Sequence, residues 1–410
     1  MTNLNGRKRV VITGMGVATP LGTGVDKTWS RAKKGEIGVG PIESFDIEDL
    51  HIKIAGEVSD FDPRQDLRSR DIFRGDRYSQ LAGISAQEAV DQSGLEVPFI
   101  DAESSACIVG SGIGGLMTLE NSYRDLFIKK RKATNPLTLL KAIGSSGAAH
   151  LSMEYGVKGP CFGTVSACST ATHAMGLVYQ MIQQGQVKLG IAGASEAVIN
   201  YGSLRAWQAL HVLSPEGCRP FSKDRNGTVL AEGAGILILE ELEYAKARGA
   251  KILGELVGFG MTSDAKDMVN PSMEGPANAM LIALNDAGLS TSDIDYVNAH
   301  GTATKVNDVN ETKAIRKVFG KDADNLLVSS TKSMHGHTLG ACGAIEAAIC
   351  LKAMEEGFVP PTASLDEVDP ECDLDYVPNV GREKTLNYVM SNSFAFGGLN
   401  ATIILGPAPQ

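Results

Sequence analysis

The chain has 410 residues, enough for two ordinary domains or one large double-core unit. Hydrophobic residues make up 43% and charged residues 21%, and no stretch approaches the ~18 uninterrupted apolar residues of a membrane span, which describes a soluble globular protein. The formal net charge of −10 argues against a general nucleic-acid binder.

The basic opening, Met1 to Arg9, leads into Val10-Val-Ile-Thr-Gly-Met-Gly16. Its apolar part is too short for a signal sequence and reads as a buried first strand, so the cytoplasm is the expected compartment. Between Arg64 and Arg77, five Arg stand against three Asp. Ser79–Ser93 has the pattern of an amphipathic helix. Ala106–Val109 reads as a strand running into Gly110-Ser-Gly-Ile-Gly-Gly115. That stretch satisfies GxGxxG, but no acidic residue ends a following strand, so a dinucleotide site is not expected. The chain from Leu116 is helical and then basic, ending in Lys129-Lys-Arg-Lys132. Cys168–Gln184 reads as a helix, and Leu189–Ala192 and Gly235–Leu239 as buried strands. The alternation predicts an α/β protein with a mostly parallel central sheet. A weak internal echo supports two related halves, 1–250 and 251–410. Ala106–Gly112 resembles Ile294–Gly301, and Leu189–Gly193 resembles Leu326–Ser330.

Seven cysteines, an odd number without a CxxC pair, suggest neither a disulfide framework nor a zinc site. Most should be small core residues. Cys168 is the exception. It lies in Gly163-Thr-Val-Ser-Ala-Cys-Ser-Thr-Ala-Thr-His-Ala-Met-Gly176, at the head of a helical run. The positive end of the helix dipole there lowers a thiol pKa, and free backbone N–H groups can bind an oxyanion. His300 and His337 each lie just past a strand end beside glycine, where open α/β sheets place ligands. His51, His150, His173 and His211 read as structural. Asn392-Ser-Phe-Ala-Phe-Gly-Gly-Leu-Asn400 is a glycine turn between apolar runs.

Cys168, His300, Lys332, His337 and the Phe396-Gly-Gly turn, in this order and spacing, resemble the β-ketoacyl-acyl carrier protein synthases of the elongating, KAS II type. The resemblance covers essentially the whole chain, including Arg219-Pro-Phe-Ser-Lys-Asp-Arg225 and Glu232-Gly-Ala-Gly235. It implies a thiolase-like fold, two similar halves in a five-layer α/β/α/β/α stack. It implies an acyltransferase that carries an acyl group on Cys168, decarboxylates malonyl-carrier protein and joins the two. In that scheme the backbone N–H groups of Cys168 and Phe396 form the oxyanion hole, and His300 and His337 donate to the enolate. Lys332 pairs with Glu346, Thr302 and Thr304 hold the pantetheine arm, and Ile113 gates the acyl tunnel. Phe394 and Glu346 count among the substrate-side residues. Arg74, Arg131 and Lys132 are the candidates for docking the acyl carrier protein. No metal or diffusible cofactor is implied beyond the carrier's phosphopantetheine arm. A homodimer is implied, and a heterodimer with a homologous subunit is the variant.

Several residues depart from the family pattern. Ala395 and Leu399 stand where Gly and Thr are usual. His335 replaces a Thr and places a third imidazole near the site. Lys305 replaces a Pro, Ser222 an Asp and Ala231 a Gly. Around Asn135-Pro-Leu-Thr138 the usual paired Phe residues are missing. These changes leave open a ketosynthase subunit of a dedicated polyketide, polyene or specialised lipid pathway. A non-catalytic chain-length partner would lack Cys168. A thiolase proper would use a second cysteine in its second half; Cys342 lies in an apolar helical pattern and reads as core.

Overall fold

The computed structural model describes residues 6–409; Met1 to Asn5 of the basic opening, and Gln410, lie outside it. Ten strands and six helices position the site. The strands are β1 Val10–Thr19, β2 Ser105–Gly110, β3 Cys161–Phe162, β4 Leu189–Glu196 and β5 Gly233–Glu241, then β6 Gly254–Ser263, β7 Tyr296–Asn298, β8 Leu327–Ser329, β9 Val389–Ala395 and β10 Leu399–Gly406. The helices are α1 Arg77–Ser93, α2 Ser146–Tyr155, α3 Thr170–Gln183, α4 Glu274–Ala287, α5 Lys305–Phe319 and α6 Cys342–Glu356. Helix α1 starts two residues before the sequence pattern suggests. Asp76 caps it by accepting the Tyr78 N–H, and Gly94 ends it in the left-handed conformation.

The strands form one sheet in the order β8-β7-β9-β10-β6-β1-β5-β4-β2-β3. The sheet is mixed, not the mostly parallel one expected from the alternation, because its middle strands pair antiparallel and only the outer ones run parallel. Outward from its centre the two arms are built alike. β1 and β5, and β5 and β4, pair antiparallel; β4, β2 and β3 run parallel. β6 and β10, and β10 and β9, pair antiparallel; β9, β7 and β8 run parallel. The arms join through a short seam, Val10–Ile12 against Gly254–Leu256. In this arrangement β2 matches β7, so the echo of Ala106–Gly112 in Ile294–Gly301 falls on equivalent strands. The second echo does not. β4 corresponds to β9, and β8 corresponds to β3; short apolar runs ending in small residues are too alike to set register.

Strand residues alternate between two cores. On β5, Leu237 and Leu239 face α3 and α6, whereas Ile236 and Ile238 face α1 and α2. On β10, Ile403 and Leu405 face the same central helices, and Ile404 faces α4 and α5. The result is five layers: α1 and α2, one arm of the sheet, α3 and α6, the other arm, α4 and α5. Both sheet faces are covered, which is why the strands read as continuous apolar runs. No helix among the described residues is long and apolar enough to cross a membrane.

Small residues stand among the larger ones where α3 and α6 meet. Ala171 and Ala174 of α3 share one core with Ala344, Ala347 and Ala348 of α6. Gly343 is where the helices come closest: a Cβ there would overlap Thr172 Oγ1 and press its backbone N at 3.1 Å. Thr172 Oγ1 is itself tied to Ser393 Oγ at 2.7 Å. Gly343→Ala should therefore destabilise the fold by about 1–3 kcal/mol through overpacking. Chemical denaturation checks this; an unchanged midpoint would mean the helices can separate freely.

Candidate active site

After β3, residues 163–166 cross to a single 3₁₀ turn, Ala167–Ser169, which runs into α3. The head of α6 is built the same way, by the turn Leu339–Ala341. Both turns open on a residue with positive φ, 47° at Ala167 and 44° at Leu339. For residues with a Cβ this costs of order 1–3 kcal/mol each, and such strain concentrates at functional sites. Cys168 is the second residue of the first turn; Gly340 holds the matching place in the second.

The loop after β8 carries His337 to the mouth of the Cys168 turn. Its backbone is fixed like an extra strand: the N–H donates to Val229 O at 2.7 Å and the carbonyl accepts from Ala231 N at 2.9 Å. The ring places Nε2 3.0 Å from Cys168 Sγ. On the other side, the Leu339 N–H donates to Nδ1 at 3.2 Å, and Cys342 Sγ lies 3.1 Å from the same atom. A backbone N–H can only donate, so Nδ1 is the acceptor and the neutral ring carries its proton on Nε2. His337 therefore faces the sulfur as a donor, not as a base.

His300 follows β7 and stands edge-on to His337, ring centres 5.6 Å apart. Glu311 of α5 holds its loop: the N–H groups of His300 and Gly301 each donate to one carboxylate oxygen at 2.8 Å. Burial pushes Glu311 up to about 7, so this clamp titrates near neutrality. Behind both rings lies Lys332, fully buried, its Nζ 2.5 Å from Glu346 Oε1. Burial works against its charge, but the groups around it, Glu346 foremost, together outweigh that cost, so the ammonium stays. Burial, and then the Lys332 charge, push both His300 and His337 well below the ordinary imidazole value. Both rings are neutral at physiological pH.

The helix-head reading of Cys168 needs correction. The thiol is almost wholly buried, and burial pushes it up to about 12, while Lys332 pulls the other way. Desolvation favours the neutral form, so the resting sulfur is a thiol. The donor atoms of Cys168, His300 and His337 lie within 4.8 Å of one another, close enough for a metal ion. Their protonation does not suit one. Nε2 of His337 holds a proton, and a metal would have to strip it and the thiol beside a buried ammonium.

A pocket of about 450 Å³ opens onto this cluster. Cys168, His300, His337, Thr302, Thr304 and Phe394 line it, with Phe396 and its glycine turn on one wall. Thr302 and Thr304 hydroxyls touch at 2.9 Å. Phe396 stacks on Trp207 with ring centres 5.9 Å apart. Gly397 and Gly398, at φ 78° and 68°, let the turn pass under a strap, where the Gly397 N–H donates to Met268 O at 2.9 Å.

Comparison with known proteins decides the family. Residues 7–245 match the family described as beta-ketoacyl synthase, N-terminal domain, and residues 253–366 match the beta-ketoacyl synthase, C-terminal domain. The chain belongs to the β-ketoacyl synthase family. It is 43% identical over 396 residues to nodulation protein E of Rhizobium sp. (strain N33), covering 97% of this chain and 98% of that protein. It is 42% identical over 411 residues to 3-oxoacyl-[acyl-carrier-protein] synthase 2 of Synechocystis sp., covering 98% and 99%. A solved structure, the ishigamide ketosynthase/chain length factor, superposes with a TM-score of 0.93 at 34% identity, covering 98% of this chain and all of that one.

Not every residue expected at the synthase site lies in the pocket. Lys332 and Glu346 sit behind it; Glu346 faces Lys332, not the substrate space, because a buried ammonium demands a counter-charge. Ile113 does not line it either. Its N–H donates to Glu196 at 3.3 Å, in a loop packed behind the Cys168 turn. His335 does not join the site: it is buried against Thr331 Oγ1 at 3.1 Å, and burial, then Lys332, push it down to about 3. Arg74 and Arg131 are exposed, beside Asp71 at 3.8 Å and Asp125 at 3.1 Å; Lys132 is exposed as well. The sequence reading missed Glu311 and Cys342. Asp308 and Glu311, three apart and both facing inward on α5, were the available signal for the first.

In histidine-labelled protein, the His300 and His337 ring protons should not titrate between about pH 5.5 and 8. A midpoint near 6.5 for either ring, by NMR, would contradict the neutral pair.

Proposed function

We propose that this β-ketoacyl synthase elongates an acyl chain by two carbons, using Cys168 as nucleophile and His300 and His337 as donors to the enolate of a malonyl thioester. The observation that carries the reading is the 3.0 Å approach of His337 Nε2–H to Cys168, the only cysteine among the described residues that line the pocket.

Acyl transfer is proton-balanced. Cys168 gives up its proton as its sulfur attacks the acyl thioester on the carrier's pantetheine arm; the bond from the acyl carbon to the pantetheine sulfur breaks, a Cys168 thioester forms, and the carrier leaves as a free thiol carrying that proton. The negative oxygen that develops is placed between the backbone N–H groups of Cys168 and Phe396. Malonyl-carrier protein then enters by the same pocket, with its arm along Thr302 and Thr304. Loss of CO2 leaves an enolate. Two neutral imidazoles serve it better than charged ones, because a neutral N–H donor stabilises the oxyanion without quenching the carbanion by proton transfer. The carbanion attacks the Cys168 thioester, the bond from the acyl carbon to Sγ breaks, and the sulfur leaves as a thiolate that takes one proton from water to return to the resting thiol. Lys332 acts through its charge, keeping both rings neutral. The reaction uses no group beyond the carrier's arm.

The partner is an acyl carrier protein, met by Arg74, Arg131 and Lys132 on a chain that is otherwise acidic. A second subunit is expected to cover Phe127, Ile128, Leu139 and Leu140, each of which is exposed in the single chain. A second copy is the first reading, in the cytoplasm. The likeness to a ketosynthase/chain length factor supports the second, a heterodimer serving a dedicated pathway.

Incubation with acyl-carrier protein should add the acyl mass to Cys168, and Cys168→Ala should abolish both the adduct and condensation. His300→Ala should slow malonyl decarboxylation by about 10²–10³-fold. Acylation elsewhere, or undiminished CO2 release, would overturn the assignment.

A further inference from the structure

We propose that Cys342 is a positioning residue which, with Thr338, holds His337 as an Nε2–H donor. The inference deepens the reading above and rests on His337 serving the enolate. Cys342 opens α6 and is fully buried. Its sulfur lies 3.1 Å from His337 Nδ1 and accepts from Thr338 Oγ1 at 3.2 Å. The contacts form one chain: Thr338 O–H to Cys342 sulfur, Cys342 S–H to His337 Nδ1, His337 Nε2–H to Cys168 sulfur.

The direction of the chain is fixed at both ends. Nδ1 already accepts the Leu339 N–H, so it has no proton to give, and Cys342 must present its S–H. Burial pushes the Cys342 thiol up to about 12, so that proton is retained at neutral pH. Leu339, the other donor, belongs to a turn with positive φ, whereas Cys342 belongs to the first turn of a buried fifteen-residue helix. The thiol therefore ties the imidazole directly to α6. Two donors on Nδ1 also draw electron density from the ring and make Nε2–H a stronger donor. A buried cysteine that merely fills space would need neither partner.

The test compares Cys342→Ala, Cys342→Ser, Thr338→Val and His337→Ala in the full-length protein, with malonyl-carrier protein as substrate. Decarboxylation and Cys168 acylation are measured separately, together with the ¹⁵N resonances of His337. Cys342→Ala should slow decarboxylation about tenfold, less than loss of a donor itself costs, and shift the Nδ1 resonance towards an unbonded nitrogen. Cys168 acylation by acyl-carrier protein should fall less than decarboxylation does, because the backbone donors that hold the acyl oxygen are untouched. Cys342→Ser keeps a donor and should restore most of the rate; Thr338→Val should fall between, and carries the test if the alanine variant does not fold. Full decarboxylation in Cys342→Ala with an unmoved Nδ1 resonance would overturn the proposal while His337→Ala stays impaired. An unimpaired His337→Ala would instead remove the enolate role on which it rests.

Discussion

The packing of α3 against α6 is the constraint on which the rest depends. Alanine and glycine at their contact bring two helices from opposite arms of the sheet together, and their heads then arrive side by side. One head offers Cys168; the loop before the other offers His337. Neither arm contains a complete site. Cys168 and its donor His337 are 169 residues apart in the chain, and the central layer holds them at 3.0 Å.

That layer also buries charge, which sets the chemistry. Lys332 and Glu346 are both fully buried, a pair that costs stability unless its partners stay together. What it supplies is a fixed positive potential beside two imidazoles. Ordinary histidines would be partly charged near neutrality; these are held neutral. The same dry surroundings keep Cys168 protonated, so the sulfur is not a standing thiolate. Its proton leaves with the carrier thiol in the exchange. Reactivity then comes from placement, with a neutral N–H aimed at the sulfur and backbone donors aimed at the carbonyl oxygen.

Much of this was legible in the sequence. Cys168, His300 and His337 each follow a strand end beside small residues, and the structure gathers them in one pocket. The long apolar strands and α1 are legible to within a few residues, because period and capping are local properties. What escaped was relational. Register between short strands is not encoded in their composition, so Leu326–Ser330 resembles a strand that is not its structural counterpart. Burial at Cys168 depends on the whole fold and reversed the sign expected from the helix head. Cys342 looks like core from its neighbours, and by burial it is; only the loop folding back over α6 reveals the imidazole on its sulfur. His335, adjacent in sequence to the site, is buried against Thr331 and does not line the pocket.

The donor role of His337 turns on which of its nitrogens holds the proton. Neutron diffraction from a deuterium-exchanged crystal measures that directly. Deuterium on Nε2, facing the Cys168 sulfur, with Nδ1 bare beneath the Leu339 amide, is the result this structure requires. Deuterium on Nδ1 would make the ring a base toward Cys168 and contradict the donor role.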